Sequence, residues 1–281
     1  MKNKNFAKKK FYKGILIAVL LFLLFFLLVP VVWALSITFD GSVTTFIPNP
    51  PTLWPKKPSL RNIQYAMTTV PLMHYFANTV MITAINTLLS VFFALTSGYA
   101  FAKGKFFLKR FWFVFMLTVM MIPFESRMLT LYLRYCKWGM SNTYWPLILG
   151  NFAYVFGMFM ARNNIAQLPD ALREAAFIDG ANEYRTFFTI IVPLCGPVIA
   201  TLCILQVIAN WNSFLWPLIV INQRSKYLIS VGAAVFTASS DANYVGPRMS
   251  VAVLSSVPLI VMFLFLQKYI VASVAVSGIK Q

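Results

Sequence analysis

Four of the seven carboxylates in this chain of 281 residues, Asp170, Glu174, Asp179 and Glu183, fall between Gln167 and Pro193, a stretch reading QLPDALREAAFIDGANEYRTFFTIIVP. Carboxylates this close could hold a cation, run acid–base chemistry or form a charged docking face. The first two uses need companions that the sequence does not supply. The one histidine, His74, has no carboxylate or cysteine constellation near it, and Cys136, Cys195 and Cys203 lack metal-ligand spacing. There is no nucleophile elbow and no plausible catalytic carboxylate pair. Gly104-Lys105 has the ending of a phosphate-binding loop, but Gly98 sits one residue too far upstream and Phe106 stands where Ser or Thr is required. Neither a catalytic residue nor a metal site is expected; a charged, helix-prone stretch between long apolar runs must leave the hydrocarbon, where it can meet something water-soluble.

The local pattern suits docking. Pro169 and Asp170 read as a helix start, with the Asp170 carboxylate accepting from free amides of the first turn. Leu172, Ala175, Ala176 and Phe177 follow at helical spacing. Gly180 supplies a position that takes positive φ, ending the helix in a sharp turn. Asn182 then opens a second helix carrying Tyr184, Phe187, Phe188, Ile190 and Ile191, and Pro193 begins the next apolar run. Two short helices joined at a glycine make a knob, and Ala175 with Ala176 keeps one side of it flat for a closely approaching surface.

The elements that carry this knob are apolar. The chain is 59% hydrophobic and 11% charged, with mean hydropathy +0.73, which places it among all-α polytopic membrane proteins. The net charge of +17 does not point to nucleic acid, because the basic residues flank apolar runs rather than cluster on one polar domain. Six spans are expected: Gly14 to Ile37, Tyr75 to Ala102, Phe111 to Pro123, Thr143 to Ala161, Leu194 to Ile221 and Val251 to Val274. Most are near the ~20 apolar residues that a spanning helix needs. Residues 1–74 form an N-terminal tail, the first span and a Pro-rich outer loop with a short helix near Leu60 to Met67. Residues 75–273 form the transmembrane domain with the knob at 167–193, and 274–281 form a tail. Leu131 to Asn142 and Gln223 to Ser250 read as outer loops. Most of the 24 Lys and Arg then lie on the side of the knob and both termini, the cytoplasmic side by the positive-inside rule.

Several polar residues punctuate the spans. Asn78, Thr79, Thr83, Asn86 and Thr87 lie in the second, and Gln206, Asn210, Asn212 and Ser213 in the fifth, within NWNSFLWP. Such groups either join helices or face a water-filled cavity. Asn86, Glu125, Gln206, Asn210 and Asn212 are the candidates for lining a pathway. Glu125 and Arg127, just past the third span, either snorkel to the interface or rim that pathway. Trp211 and Trp216 fit an interface belt as readily as a ligand platform.

Glu174-Ala175-Ala176, Gly180 after three residues, and Ile190, Val192 and Pro193 after nine more resemble the EAA loop of bacterial ABC-importer permeases. Val192 replaces the usual Leu. NWNSFLWP is similar to the sugar-importer branch of that family, and Ser277-Gly278-Ile279-Lys280 to its short cytoplasmic ending. The resemblance implies a type I importer permease fold in the bacterial inner membrane. Glu174, Ala175, Ala176, Asp179, Gly180 and Pro193 would couple to a cytoplasmic ABC ATPase dimer, which binds ATP and Mg; this chain would hold no cofactor. It further implies a second, homologous permease as heterodimer partner, an extracytoplasmic solute-binding protein, and as substrate an oligosaccharide or a polyol phosphate such as glycerol 3-phosphate. A self-sufficient secondary transporter or channel is the competing class. It fits less well, since the sequence shows no convincing internal repeat and no charged residue in mid-span to couple an ion.

Overall fold

A computed structural model of the chain describes residues 2–43, 45–46, 50–238 and 244–278, with side chains placed between 12 and 264. In order, the helices are α1 (Lys2–Thr38), α2 (Arg61–Thr69), α3 (Leu72–Lys103), α4 (Lys109–Val119), α5 (Phe124–Lys137), α6 (Trp145–Leu149), α7 (Val155–Ala166), α8 (Ala171–Ile178), α9 (Glu183–Thr186), α10 (Val192–Leu194), α11 (Gly196–Trp211), α12 (Leu215–Val220), α13 (Ile229–Ala238) and α14 (Val245–Gly278). A π-helical turn, Phe187–Ile191, joins α9 to α10. Among the described residues there is no strand, only an isolated bridge from Asp40 to Pro58.

The all-helical expectation holds, but the count of spans differs. Among the described residues three helices are long and apolar enough to cross a membrane: Tyr12–Thr38, Leu72–Lys103 and Val245–Leu264. Two bent pairs, Lys109–Val119 with Phe124–Lys137 at 93° and Glu183–Leu194 with Gly196–Trp211 at 79°, raise this to five. The expected span Thr143 to Ala161 is broken into α6, of five residues, and the start of α7, of twelve. Gly150 and Asn151 fall at the break, where the Asn151 side chain donates back to the Leu147 carbonyl at 3.1 Å instead of letting the helix run on.

Two segments read as loops are helical. Pro123, at φ −56° and ψ 140°, turns the chain sharply and α5 starts directly after it. Its Tyr135 is buried, with Phe124, Met128 and Leu131 packed beside it at helical spacing. Gln223 to Ser250 holds α13 and the start of α14; 239–243 within it lie outside the described residues, as do 279–281 of the expected tail.

The chain forms two compact units, Met1–Pro71 with Ala233–Ser256, and Leu72–Gly232 with Val257–Gln281. In the first, α2 falls where the short outer helix is expected. The buried Asp40 carboxylate accepts from the Ser42 amide at 2.9 Å, the Ser42 hydroxyl at 2.6 Å and the Lys56 amide at 2.7 Å. Asn62 Nδ2, also buried, lies 3.1, 2.9 and 3.1 Å from the carbonyls of Ile37, Asp40 and Val43. Backbone groups that would otherwise be stranded are thus satisfied, and residues 37–43 are tied to Lys56 and Asn62 across the chain.

In the second unit α3 packs along α7 and α11. Glycines allow the approach: a Cβ on Gly98 would stand 2.7 Å from the Ala161 Cβ, and one on Gly157 would stand 2.9 Å from the Ala94 Cβ. Around this seam lies a core of Val91, Leu95, Ile165, Ile191, Val198 and Leu202. The two helices that flank the knob in the chain, α7 and α11, are thus both packed on α3.

Candidate functional site: the two-helix knob and the amide cluster behind it

The knob forms as its sequence demands, with two local differences. α8 ends where Gly180 takes φ +78°. The Gly180 amide donates to Phe177 O at 3.0 Å and the Ala181 amide reaches back to Ala176 O at 2.9 Å, the wide closing bond of a glycine-terminated helix. Asn182 caps α9, its Oδ1 accepting from the Arg185 amide at 2.9 Å.

The first difference is Asp170. Its side chain makes no cap bond to α8. It accepts instead from Lys103 Nζ at 2.7 Å, and the same ammonium donates to the Leu168 carbonyl at 2.7 Å. The Lys103 side chain is only 8% exposed, against 66% for Asp170. An ammonium that far from water must be given oxygens, and that need outweighs a cap. The hydrogen bond from Lys103, and then its charge, hold the Asp170 carboxyl below the usual carboxylate range.

The second difference is the alanine pair. Ala175 is exposed, but Ala176 is buried at 5% and cannot share an outer face with it. The exposed surface includes Glu174, Ala175, Ile178 and Asp179, with Tyr184 on the second helix. Ile178 and Tyr184 are 86% and 80% exposed, a large apolar outlay for a charged segment.

Glu183 ties the two helices together. Arg173 Nη2 donates to Glu183 Oε1 at 2.6 Å, and the Tyr99 hydroxyl of α3 donates to Glu183 Oε2. The hydrogen bond to Glu183 raises the Arg173 pKa further above its ordinary value. Arg173 also lies over the Phe177 ring at 5.2 Å. Pro193 is exposed just past the π turn. It has no amide to continue the α ladder, and the Thr189 hydroxyl takes the Arg185 carbonyl at 2.6 Å, so the ladder loosens there.

Sequence reasoning did not single out Tyr99, Lys103 and Arg173 for this site. Lys103 and Arg173 count only among the basic residues on the side of the knob, and Tyr99 carries no reading of its own. The available signal was the spacing of Tyr99 and Lys103, which puts them on one helix face.

Three of the five pathway candidates meet midway along α3, between it and α11. Asn86 Nδ2 donates to Asn210 Oδ1 at 2.8 Å and to the Leu147 carbonyl at 3.2 Å. Asn210 Nδ2 donates to the Gln206 carbonyl at 2.7 Å and to Gln206 Oε1 at 3.0 Å. All three residues are buried. Asn151, unnoticed in the sequence, joins them, donating to Asn210 Oδ1 at 3.4 Å. Asn212, just past the end of α11, and Glu125, on α5, are exposed and stand apart from this cluster. His74 is hydrogen-bonded to the Ser225 carbonyl at 2.7 Å, and Asn78 donates to the same oxygen at 2.9 Å. Trp216 is buried, its indole donating to the Pro146 carbonyl at 3.1 Å, which makes it a packing residue of this unit.

Apolar spans that carry a charged two-helix knob and a buried amide cluster define a helical membrane transport component. A family model for the inner membrane component of binding-protein-dependent transport systems matches residues 87–276, and the chain belongs to that family. It is 36% identical over 237 residues to the arabinooligosaccharides transport system permease protein AraQ of Halalkalibacterium halodurans, covering 84% of this chain and 83% of that one. It is 30% identical over 258 residues to the trehalose/maltose transport system permease protein MalG of Thermococcus litoralis, covering 90% and 91%. Among solved structures, a bacterial ABC transporter that imports the acidic polysaccharide alginate matches with TM-score 0.82 and 21% identity, over 91% of this chain and 95% of that one. That likeness establishes the type I importer permease fold.

Proposed function

We propose that this chain is one permease subunit of an ATP-driven, binding-protein-dependent carbohydrate importer, with an oligosaccharide as substrate. It forms half of the translocation pathway in a heterodimer with a second, homologous permease. The knob docks on a cytoplasmic ABC ATPase dimer that binds ATP and Mg, and a solute-binding protein delivers sugar from outside. Both termini are cytoplasmic, and 75–273 is the transport domain.

The observation that carries this reading is the knob itself. Glu174, Ala175 and Asp179 are turned outward beside exposed Ile178 and Tyr184, and Gly180 fixes the angle between α8 and α9. A soluble partner with a complementary cleft would bury that apolar surface and pair those carboxylates. Two relatives named for arabinooligosaccharide and trehalose/maltose transport support the substrate class.

The test is uptake by proteoliposomes holding the assembled importer and its receptor. Sugar entry should require ATP and receptor together. Glu174→Lys or Gly180→Pro should leave the subunit inserted but uncouple hydrolysis from uptake. ATP-independent uptake, or normal transport by a well-inserted Gly180→Pro subunit, would overturn the assignment.

A further inference from the structure

We propose that Tyr99 and Lys103, at the inner end of α3, are positioning residues that clamp both helices of the knob, so that a push on the knob moves α3 rather than flexing the turn at Gly180. The proposal rests on reading the knob as the coupling element.

The two residues are four apart on a helix and so share a face. Their bonds land on opposite sides of the turn. Lys103 holds Leu168 O and Asp170, which lead into α8, each at 2.7 Å. The Tyr99 hydroxyl donates to Glu183, the first residue of α9. Arg173 of α8 closes the arrangement through its own bond to Glu183 at 2.6 Å. The turn at Gly180 has open space beside it, a Cβ there meeting nothing within 4 Å, and these links brace the angle that its own backbone bonds set.

The clamp is backed by packing. The Tyr99 ring lies 5.3 Å from that of Phe187, just past α9, and Ala102 and Leu168 pack on the buried cluster of Leu95, Ile165 and Ile191. At the other end of α3, Asn78 Nδ2 donates to Ser225 O and Tyr227 O at 2.9 and 3.1 Å, and Thr79 Oγ1 accepts from the Ile229 amide at 2.8 Å. A helix of 32 residues held at both ends is a rod, about 48 Å long at 1.5 Å per residue. Partly exposed ion pairs contribute little stability. Geometry is what this one supplies: the nearly buried Lys103 cannot let go without losing both of its oxygens.

The experiment uses the assembled importer in proteoliposomes and reads ATP consumed per sugar carried, with co-purification of all subunits as the assembly check. Tyr99→Phe removes one hydroxyl, and Lys103→Met keeps the buried stem while removing the charge. Each should raise the ratio on the order of fivefold, the low end of coupling energies between sites. Lys103→Arg should stay near the wild-type ratio, a rescue that a merely structural loss would not show. Glu174→Lys is the control for the underlying reading. If Glu174→Lys uncouples while Tyr99→Phe and Lys103→Met keep the wild-type ratio, the clamp is wrong and the coupling knob stands. If Glu174→Lys itself couples normally, the knob reading falls and the clamp with it.

Discussion

Asn86 on α3 and Asn210 on α11 meet side chain to side chain at 2.8 Å, inside the protein and 124 residues apart in the chain. Asn86 Oδ1 and the Thr87 hydroxyl nearby receive no hydrogen bond. Removing one partner of a buried amide pair strands the other, whereas removing both leaves an apolar contact. Asn86→Leu or Asn210→Leu should therefore each destabilise by about 1–3 kcal/mol. The double variant should cost clearly less than the sum of the two, read by thermal unfolding of purified protein. Strict additivity would show that the amides act separately, as they would if each faced a water-filled pathway.

The seam of α3 with α7 is a close approach with little room to give. A Cβ at Gly98 would lie 2.7 Å from the Ala161 Cβ and 2.9 Å from the Arg162 amide nitrogen, neither the end of a flexible side chain. Gly98→Val should lower stability by about 1–3 kcal/mol, the usual result of overpacking. The same change at Gly196, where a Cβ meets nothing within 4 Å, should do far less. Equal melting temperatures for the two variants would contradict the packing argument.

Gly180, at φ +78°, gives a graded prediction for coupling. Asn tolerates the left-handed region and β-branched residues do not. ATP-driven uptake should fall in the order Gly, Asn, Val at this position while membrane insertion stays constant. Val equal to Gly in uptake would mean that the turn is not needed.

Burial pushes the Asp40 carboxyl up, but the Ser42 hydroxyl and the amides of Lys56, Ser42 and Lys57 together outweigh it and hold the pKa below the ordinary value. A depressed carboxyl stabilises the fold above its unfolded pKa and loses that contribution as pH falls through the folded one. The tied segment at 40–62 should thus be fully protected at neutral pH and open progressively below about pH 4. Hydrogen exchange of the Lys56 and Lys57 amides tests this. Asp40→Asn should exchange fast at neutral pH and lose the acid step.

A single cysteine placed at Ile178, 86% exposed at the tip of the knob, reports sidedness. An impermeant thiol reagent should label it only from the cytoplasmic face of membrane vesicles. Labelling from outside would remove any means for this segment to meet an ATPase.

What the sequence fixes here is local. Apolar runs located α1, α3 and α14 because the hydrocarbon layer selects length and composition, which need no partner to be read. The knob could be found because Gly180 and Asn182 act on their own neighbours, by a positive φ and a cap bond. Bends and contacts across the chain could not be found this way. The 93° turn at Pro123 and the break at Gly150 depend on what each piece packs against, and apolar counting runs straight through both. Asp170 abandons its cap because Lys103, 67 residues earlier, lies beside it and has little water. Ala176 is buried and Ala175 is not, although the two are adjacent and identical. Those outcomes were decided by which surfaces meet, and folding alone brings them together.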